Sequence, residues 1–272
     1  MIELKELLTR DDLKPLIPEI VNKAIMEEIQ DALIARQLVD VIRLTQGSSI
    51  KFPKAERSQV AFVVPESGEV PLMQGERFSE IIVTPYKIGI RAAVTREMIE
   101  DGALDVINRN IRQAARAVAE KEDEDILNAL LATTNTTPST SWGLEDLSKL
   151  LRLVEQYNYR PNVIVMHPAA ATKLRTEDVF DRTVTREVAT FLPNGNVGSI
   201  FNVGVVLTNA MPQTVALCLD TRNAGVLVER RPLQVENWTD PARDSEGVVL
   251  TMRIAPALLN VKACGKITGI TL

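Results

Sequence analysis

Val63-Val64-Pro65-Glu66-Ser67-Gly68-Glu69-Val70-Pro71 sets two prolines, a glycine and two glutamates between short extended pieces. The flanks are Ile50 to Pro53, Val60 to Val64 and Phe78 to Val83. Proline supplies no ladder donor and glycine packs nothing, so the nonapeptide is a turn-rich tip rather than a central strand. Residues 50–85 therefore read as a long hairpin with little apolar content of its own. An isolated two-stranded arm is marginal in water and leans on another surface. The sequence points to a partner.

Working outward, Tyr86, Ile88, Ile90, Ala92 and Val94 alternate with Lys87 and Arg91, the pattern of a half-buried strand. From Ala103 to about Leu131 the apolar set is Val106/Ile107, Ile111, Ala114/Ala115, Val118, Ile126 and Leu130. It keeps helical phase except at Lys121-Glu122-Asp123-Glu124-Asp125. At ~1.5 Å per residue this helix is roughly 40 Å long, well above the average length. Upstream, residues 15–44 read as a thin-striped helix with a tail. Thr133 to Ser141 is a small-polar linker and the clearest internal boundary.

After that linker comes a compact α/β pattern. A helix carrying Leu144, Leu147, Leu151 and Val154 leads to the buried strand Asn162 to Met166, then a helix from Ala169 to Arg175. Strands follow at Val203 to Leu207, Thr214 to Leu219 and Gly225 to Arg230. The closing segments Val248 to Ile254 and Ala257 to Ile270 are strand-like, and with 86–94 they are expected to share one sheet.

Composition excludes several function classes. The 272 residues are 45% hydrophobic and 25% charged, a globular balance. Lys and Arg number 31 against 36 Asp and Glu, net −5, which is not the basic excess of a dedicated nucleic-acid binder. Aromatics at 4% are too scarce for base-stacking surfaces. Cys218 and Cys264 form no CxxC and sit in apolar strand-like runs, where a buried inert thiol is expected. No targeting segment or membrane span is evident, and the expectation is a chain made for a reducing compartment.

Candidate chemistry is thin. His167 is the one histidine and precedes Pro168 at a strand-to-helix junction. Without a G-x-S-x-G elbow nearby it reads as a junction residue with a local hydrogen bond. Gly195-Asn196-Val197-Gly198 lacks the Lys-Ser/Thr of a phosphate loop and reads as a turn. The acidic run 121–125 matches no calcium loop and reads as a solvated helix face. Arg230-Arg231 reads as a surface or interface pair. No catalytic, cofactor or metal site is expected.

The ordered set of segments resembles the phage capsid family, the Hong Kong 97 type of major capsid protein from tailed double-stranded-DNA viruses. The resembling pieces are the tip 63–71, Pro85 to Ile90, Val94 to Asp101, Ala119 to Asp123, Val163 to Pro168 and Arg253-Ile254-Ala255-Pro256-Ala257. The resemblance implies an α+β Hong Kong 97-type capsid fold. Residues 1–46 would be an N-terminal arm and 47–85 an extended loop reaching over a neighbouring subunit. Residues 86–136 and 232–272 would form a peripheral domain with a long spine helix, and 137–231 an axial α/β domain.

It further implies a structural protein, not an enzyme, that self-assembles as pentamers and hexamers into an icosahedral shell. The shell encloses double-stranded DNA without sequence-specific binding. Lys54, Glu66, Glu69 and Arg77 of the extended loop are the expected assembly contacts. Scaffold, portal and decoration proteins are the implied further partners, no membrane is involved, and the protein is made in the host cytoplasm and ends in the virion. Members that carry their own scaffold have an extra N-terminal segment, so this chain is expected to be already processed or to use a separate scaffold. No motif at Lys51 or Lys54 carries over covalent cross-linking. The alternatives are an encapsulin-type nanocompartment shell and, from another class, a small-molecule enzyme using the α/β module with His167.

Overall fold

The computed structural model describes residues 33–54, 64, 79–95, 104–175 and 196–271. Most of the N-terminal helix reading, the hairpin tip at 63–71 apart from Val64, and Glu66, Glu69 and Arg77 lie outside them.

One helix organises the subunit. α1, Leu104–Leu131, is 28 residues long. It buries Ala114, Ala115, Val118, Ala119, Ile126, Leu127 and Leu130 along one stripe. That stripe lies on a four-stranded sheet of order β1-β10-β11-β4, where β1 is Asp40–Arg43, β4 is Tyr86–Thr95, β10 is Gly225–Asp240 and β11 is Ser245–Leu258. Leu227, Leu250, Met252 and Ile254 meet the helix in one cluster. Alternation sends Val226, Val228 and Ala255 to the opposite face, where they pack with Leu44 and Val83.

The second sheet has six strands, in the order β5-β12-β9-β6-β8-β7. These are β5, Thr136–Pro138; β6, Val163–Met166; β7, Asn196–Ile200; β8, Val203–Leu207; β9, Val215–Leu219; and β12, Cys264–Thr268. Its central strands are buried on both faces, which is why they read as continuous apolar runs. Val165, Leu217, Leu219 and Cys264 join the α1 cluster, while Ile164, Met166, Ala216, Cys218 and Ile267 join a second one. The second cluster is closed by α2, Leu144–Glu155, and α3, Pro168–Arg175. One core therefore runs from α1 through both sheets.

Local chemistry sets the α2 start. Its N-cap, Gly143, offers no side chain. Asp146 in the first turn instead ties down the loop before it, accepting from Ser139 Oγ at 2.6 Å and from the Thr140 and Ser141 N–H groups at 3.2 and 3.3 Å. Burial pushes its carboxyl upward, but the bonds from Ser139, Lys149 and Ser141 outweigh this and hold the pKa below the usual aspartate value. Where α2 crosses β12, Gly265 makes room: a Cβ there would sit 3.2 Å from Leu153 Cβ.

The strands differ from the sequence reading in four places. β4 and β11 do pair, antiparallel from Ser245↔Thr95 to Ile254↔Tyr86. β12 does not join them; it crosses to the six-stranded sheet, because Cys264 and Ile267 alternate between its two cores. β10 continues unbroken through residues 231 and 232, beyond the Gly225 to Arg230 strand read from apolar content. Its outer half, from Arg231 on, is wetter and less apolar, so hydropathy alone misses it. Within the small-polar linker, Thr136–Pro138 pairs in parallel with Lys266 to Thr268. The tail of the expected N-terminal helix is a 3-10 turn at Ala35–Leu38 followed by strand β1, parallel to β10.

Candidate assembly interface

Two strands rise from the sheet as a ribbon: β2, Ile50–Lys54, and β3, Ser79–Val83. They pair antiparallel with Ile50 opposite Val83 and Phe52 opposite Ile81. These four side chains pack with Leu44, Val226 and Val228, so the ribbon base leans on its own subunit. The expectation that this hairpin buries little by itself is corrected for its base. The other face points away, with Lys51 opposite Ile82 and Pro53 opposite Glu80. Ile82 is 60% exposed. Lys51 Nζ meets Glu80 Oε2 at 2.7 Å, an exposed pair worth only ~0–1 kcal/mol. Lys54 closes β2 opposite Ser79, and the structure brings no other expected contact residue beside it among the described residues.

Other apolar side chains reach solvent. Tyr86 and Ile90 on β4 are part-exposed on the α1 side, where the Tyr86 hydroxyl donates to Asp125 Oδ2 at 2.7 Å. Phe201 at the tip of the β7–β8 hairpin is exposed. The two residues of that turn, Phe201 and Asn202, have φ of 52° and 64°. Hairpin geometry favours φ above zero at both positions, and asparagine tolerates it. A phenylalanine there is strained and wet at once, which marks the tip as a functional candidate. β7 itself begins at Asn196, so Gly195-Asn196-Val197-Gly198 is not the expected turn: Asn196 pairs with Val206.

Beneath the ribbon lies a charged strut. On α1, each residue turns the helix by about 100°, so Glu122 and Asp123 fall into the stripe between Ala119 and Ile126. They are 3% and 5% exposed. The expected solvated face is therefore wrong for these two, while Lys121 and Glu124 do point outward and pair at 2.9 Å. Asp123 accepts the N–H groups of Ile34 and Ala35 at 3.0 Å each, satisfying the start of the 3-10 turn. Glu122 Oε1 lies 3.2 Å from Arg36 Nε without hydrogen-bond alignment. Arg36 Nη2 also donates to Glu229 on β10, and Arg43 Nε reaches the other Glu229 oxygen at 3.2 Å. Residues 33–43 are thus pinned to both α1 and the sheet. Burial pushes the Glu122 carboxyl up to about 7, with Arg36 pulling it back.

The remaining suspects have ordinary roles. His167 Nδ1 accepts the Ala169 N–H at 3.0 Å at the β6–α3 junction, the expected local bond. Arg230 and Arg231 are tethers within the chain, donating to the Leu44 carbonyl at 2.8 Å and Thr251 Oγ1 at 2.9 Å. Cys218 and Cys264 are fully buried on opposite faces of the six-stranded sheet. Burial raises both thiols, Cys264 to about 12. Neither should react with a thiol reagent in the native protein at pH 8, and both should react in denaturant; rapid native labelling would contradict this packing. Among the described residues no acidic, histidine and cysteine grouping could hold a metal ion, and no helix is long and apolar enough to cross a membrane.

This arrangement is that of viral shell subunits. The capsid of the native GTA particle superposes with a TM-score of 0.70 at 14% identity, covering 89% of this chain and 91% of that one. The SrpI encapsulin from Synechococcus elongatus matches with a TM-score of 0.64 at 13% identity, covering 86% of each chain. In sequence, the major capsid protein of Staphylococcus phage phiMR11 is 24% identical over 260 residues, 93% of either protein. The family model described as phage capsid protein matches residues 79–267. The chain belongs to the phage capsid protein family, with the Hong Kong 97-type fold, and is a structural capsid shell protein.

Proposed function

We propose that this chain is the major capsid protein of a tailed virus, assembling as pentamers and hexamers into an icosahedral shell around double-stranded DNA. The family match across 79–267 carries this reading. In it, residues 1–46 are the arm, 47–85 the extended loop, 86–136 with 232–272 the peripheral domain and 137–231 the axial domain. Lys54, Glu66, Glu69 and Arg77 contact a neighbouring subunit, with Ile82 on the outward ribbon face adding apolar area. The mature location is the virion, and scaffold and portal proteins act during assembly. The chain performs no catalysis.

Negative-stain electron microscopy with light scattering on the same purified sample tests this. Closed shells, pentamers or hexamers support it; a lasting monomer with and without a scaffold partner overturns it. The likeness to an encapsulin favours one second reading, a cellular nanocompartment, and uniform small shells enclosing a cargo protein would favour that instead. Deleting residues 56–76 should leave a folded, soluble chain that no longer assembles. An unfolded deletion product would place those residues in the subunit's own core. With net charge −5, the free protein should bind duplex DNA weakly at physiological salt, and tight, salt-steep binding would contradict the reading.

A further inference from the structure

At the irregular register between Glu229 and Gln234, β10 bulges away from β11. The bulge opens a cleft of about 420 Å³ lined by Arg43, Arg230, Arg231 and Arg253 around a single carboxylate, Glu229. That carboxylate is already committed, one oxygen to Arg43 and the other to Arg36. The other three guanidiniums each spend a donor on a neutral acceptor: Leu44 carbonyl, Thr251 hydroxyl and, for Arg253, the Pro85 carbonyl at 3.1 Å. Arg231 Nε is buried with no hydrogen-bond partner. Among the described residues none of the three pairs with a carboxylate.

Three clustered guanidiniums repel one another and leave fork-shaped donor pairs unused, a geometry matched by planar oxyanions. The walls favour a side chain as the anion. Leu44 and Pro232 give the cleft apolar sides, and its volume admits a few side chains. The source follows from charge and assembly. Each copy carries 36 acidic residues against 31 basic ones, and the family builds shells from many copies.

We propose that this cleft receives carboxylate side chains from a second copy of this chain, forming an ion-pair site between subunits; the second copy rests on the shell reading above. The test uses the full chain, with the paired variants Arg231→Gln/Arg253→Gln and Arg231→Lys/Arg253→Lys. Thermal melts establish folding. A fluorescent oligoglutamate peptide reports binding, and light scattering reports the protein concentration at which shells form. The Gln pair should bind the peptide at least about tenfold more weakly and need a correspondingly higher concentration to assemble; the Lys pair should fall between. Should the Gln pair fail to fold, the Lys pair is read in its place, and parental binding and assembly by it overturn the proposal. Unchanged peptide binding and assembly in the Gln pair overturn it and leave the shell reading standing. A parent that never assembles, yet binds peptide through these arginines, sustains the carboxylate site and removes the second-copy occupant with the shell reading. A short DNA duplex that binds through these arginines more tightly than the peptide overturns the proposal in favour of phosphate.

Discussion

Trp142→Ala is expected to destabilise the subunit by about 3–5 kcal/mol, the range for truncating a large buried aromatic. Trp142 is 1% exposed in the cluster beneath α2 and α3, and its Nε1 donates to the Ala170 carbonyl at 2.9 Å. The indole therefore fastens the loop before α2 onto the first turn of α3. Its loss opens a cavity and removes a partner from that carbonyl. Trp142→Phe keeps most of the packing and should lose only about 1 kcal/mol, the typical net worth of one hydrogen bond, plus a modest volume term. Urea unfolding followed by circular dichroism measures both. Because one core joins α1 to both sheets, a single transition should shift as a unit. Equal midpoints for the parent and the alanine variant would mean that the loop is not packed over α3. Shell yield should fall with stability, since an assembling chain competes with its own unfolding.

The compact α/β portion was legible because its strands are short, buried on both faces and bounded by turns, so pattern and burial coincide. β6, Val163–Met166, falls within the Asn162 to Met166 reading and is one residue shorter. The long helix was legible for the same reason, down to its end at Leu131. What failed was polar material in apolar places and strand in polar places. Glu122 and Asp123 hold stripe positions, and the signal was present: the apolar phase on either side passes through them. Their partners, Arg36 and the Ile34 and Ala35 N–H groups, lie about ninety residues away in sequence, and no local pattern announces them. The outer half of β10 carries few apolar residues and follows the irregular register around Pro232, so no apolar run marks it as strand. The close approach of β4 to β11 at Gly247, where a Cβ would meet the Ala92 carbonyl oxygen at 2.0 Å, is also invisible without the register. The family resemblance rested on the order of segments, which survives such local errors.

Raising the pH from 5 to 8 should shift the stability difference between Glu122→Gln and the parent by about 3 kcal/mol in the variant's favour. The Glu122 carboxyl is buried, so its ionised form is costly, and the nearby Asp123 and Glu229 carboxylates add to the cost while Arg36 offsets part of it. Folding thus raises its pKa from 4.5 to about 7. A raised carboxyl means that the folded state holds the proton more tightly than the unfolded chain. Its stabilising contribution is complete below about pH 4.5, falls as pH rises to about 7, and is flat above. At about 1.4 kcal/mol per pH unit, the part of that window above pH 5 amounts to about 3 kcal/mol. Asp123 shifts in the same direction, with burial outweighing its two backbone bonds, and it remains in both proteins. Glutamine stays neutral throughout, so subtracting one denaturation series from the other isolates Glu122. Parallel curves would show that the carboxyl is solvated and that the strut does not close as described. A diverging pair carries a structural consequence: ionised Glu122 attracts Arg36, but its burial beside the Asp123 and Glu229 carboxylates costs more, and lifting residues 33–43 away from α1 relieves that cost. Local opening of that segment, without unfolding of the core, is therefore easier at pH 8 than at pH 5. Amide exchange at Ile34 and Ala35, whose N–H groups end on Asp123, should accelerate beyond its intrinsic pH dependence between pH 5 and 8 in the parent and much less in the variant.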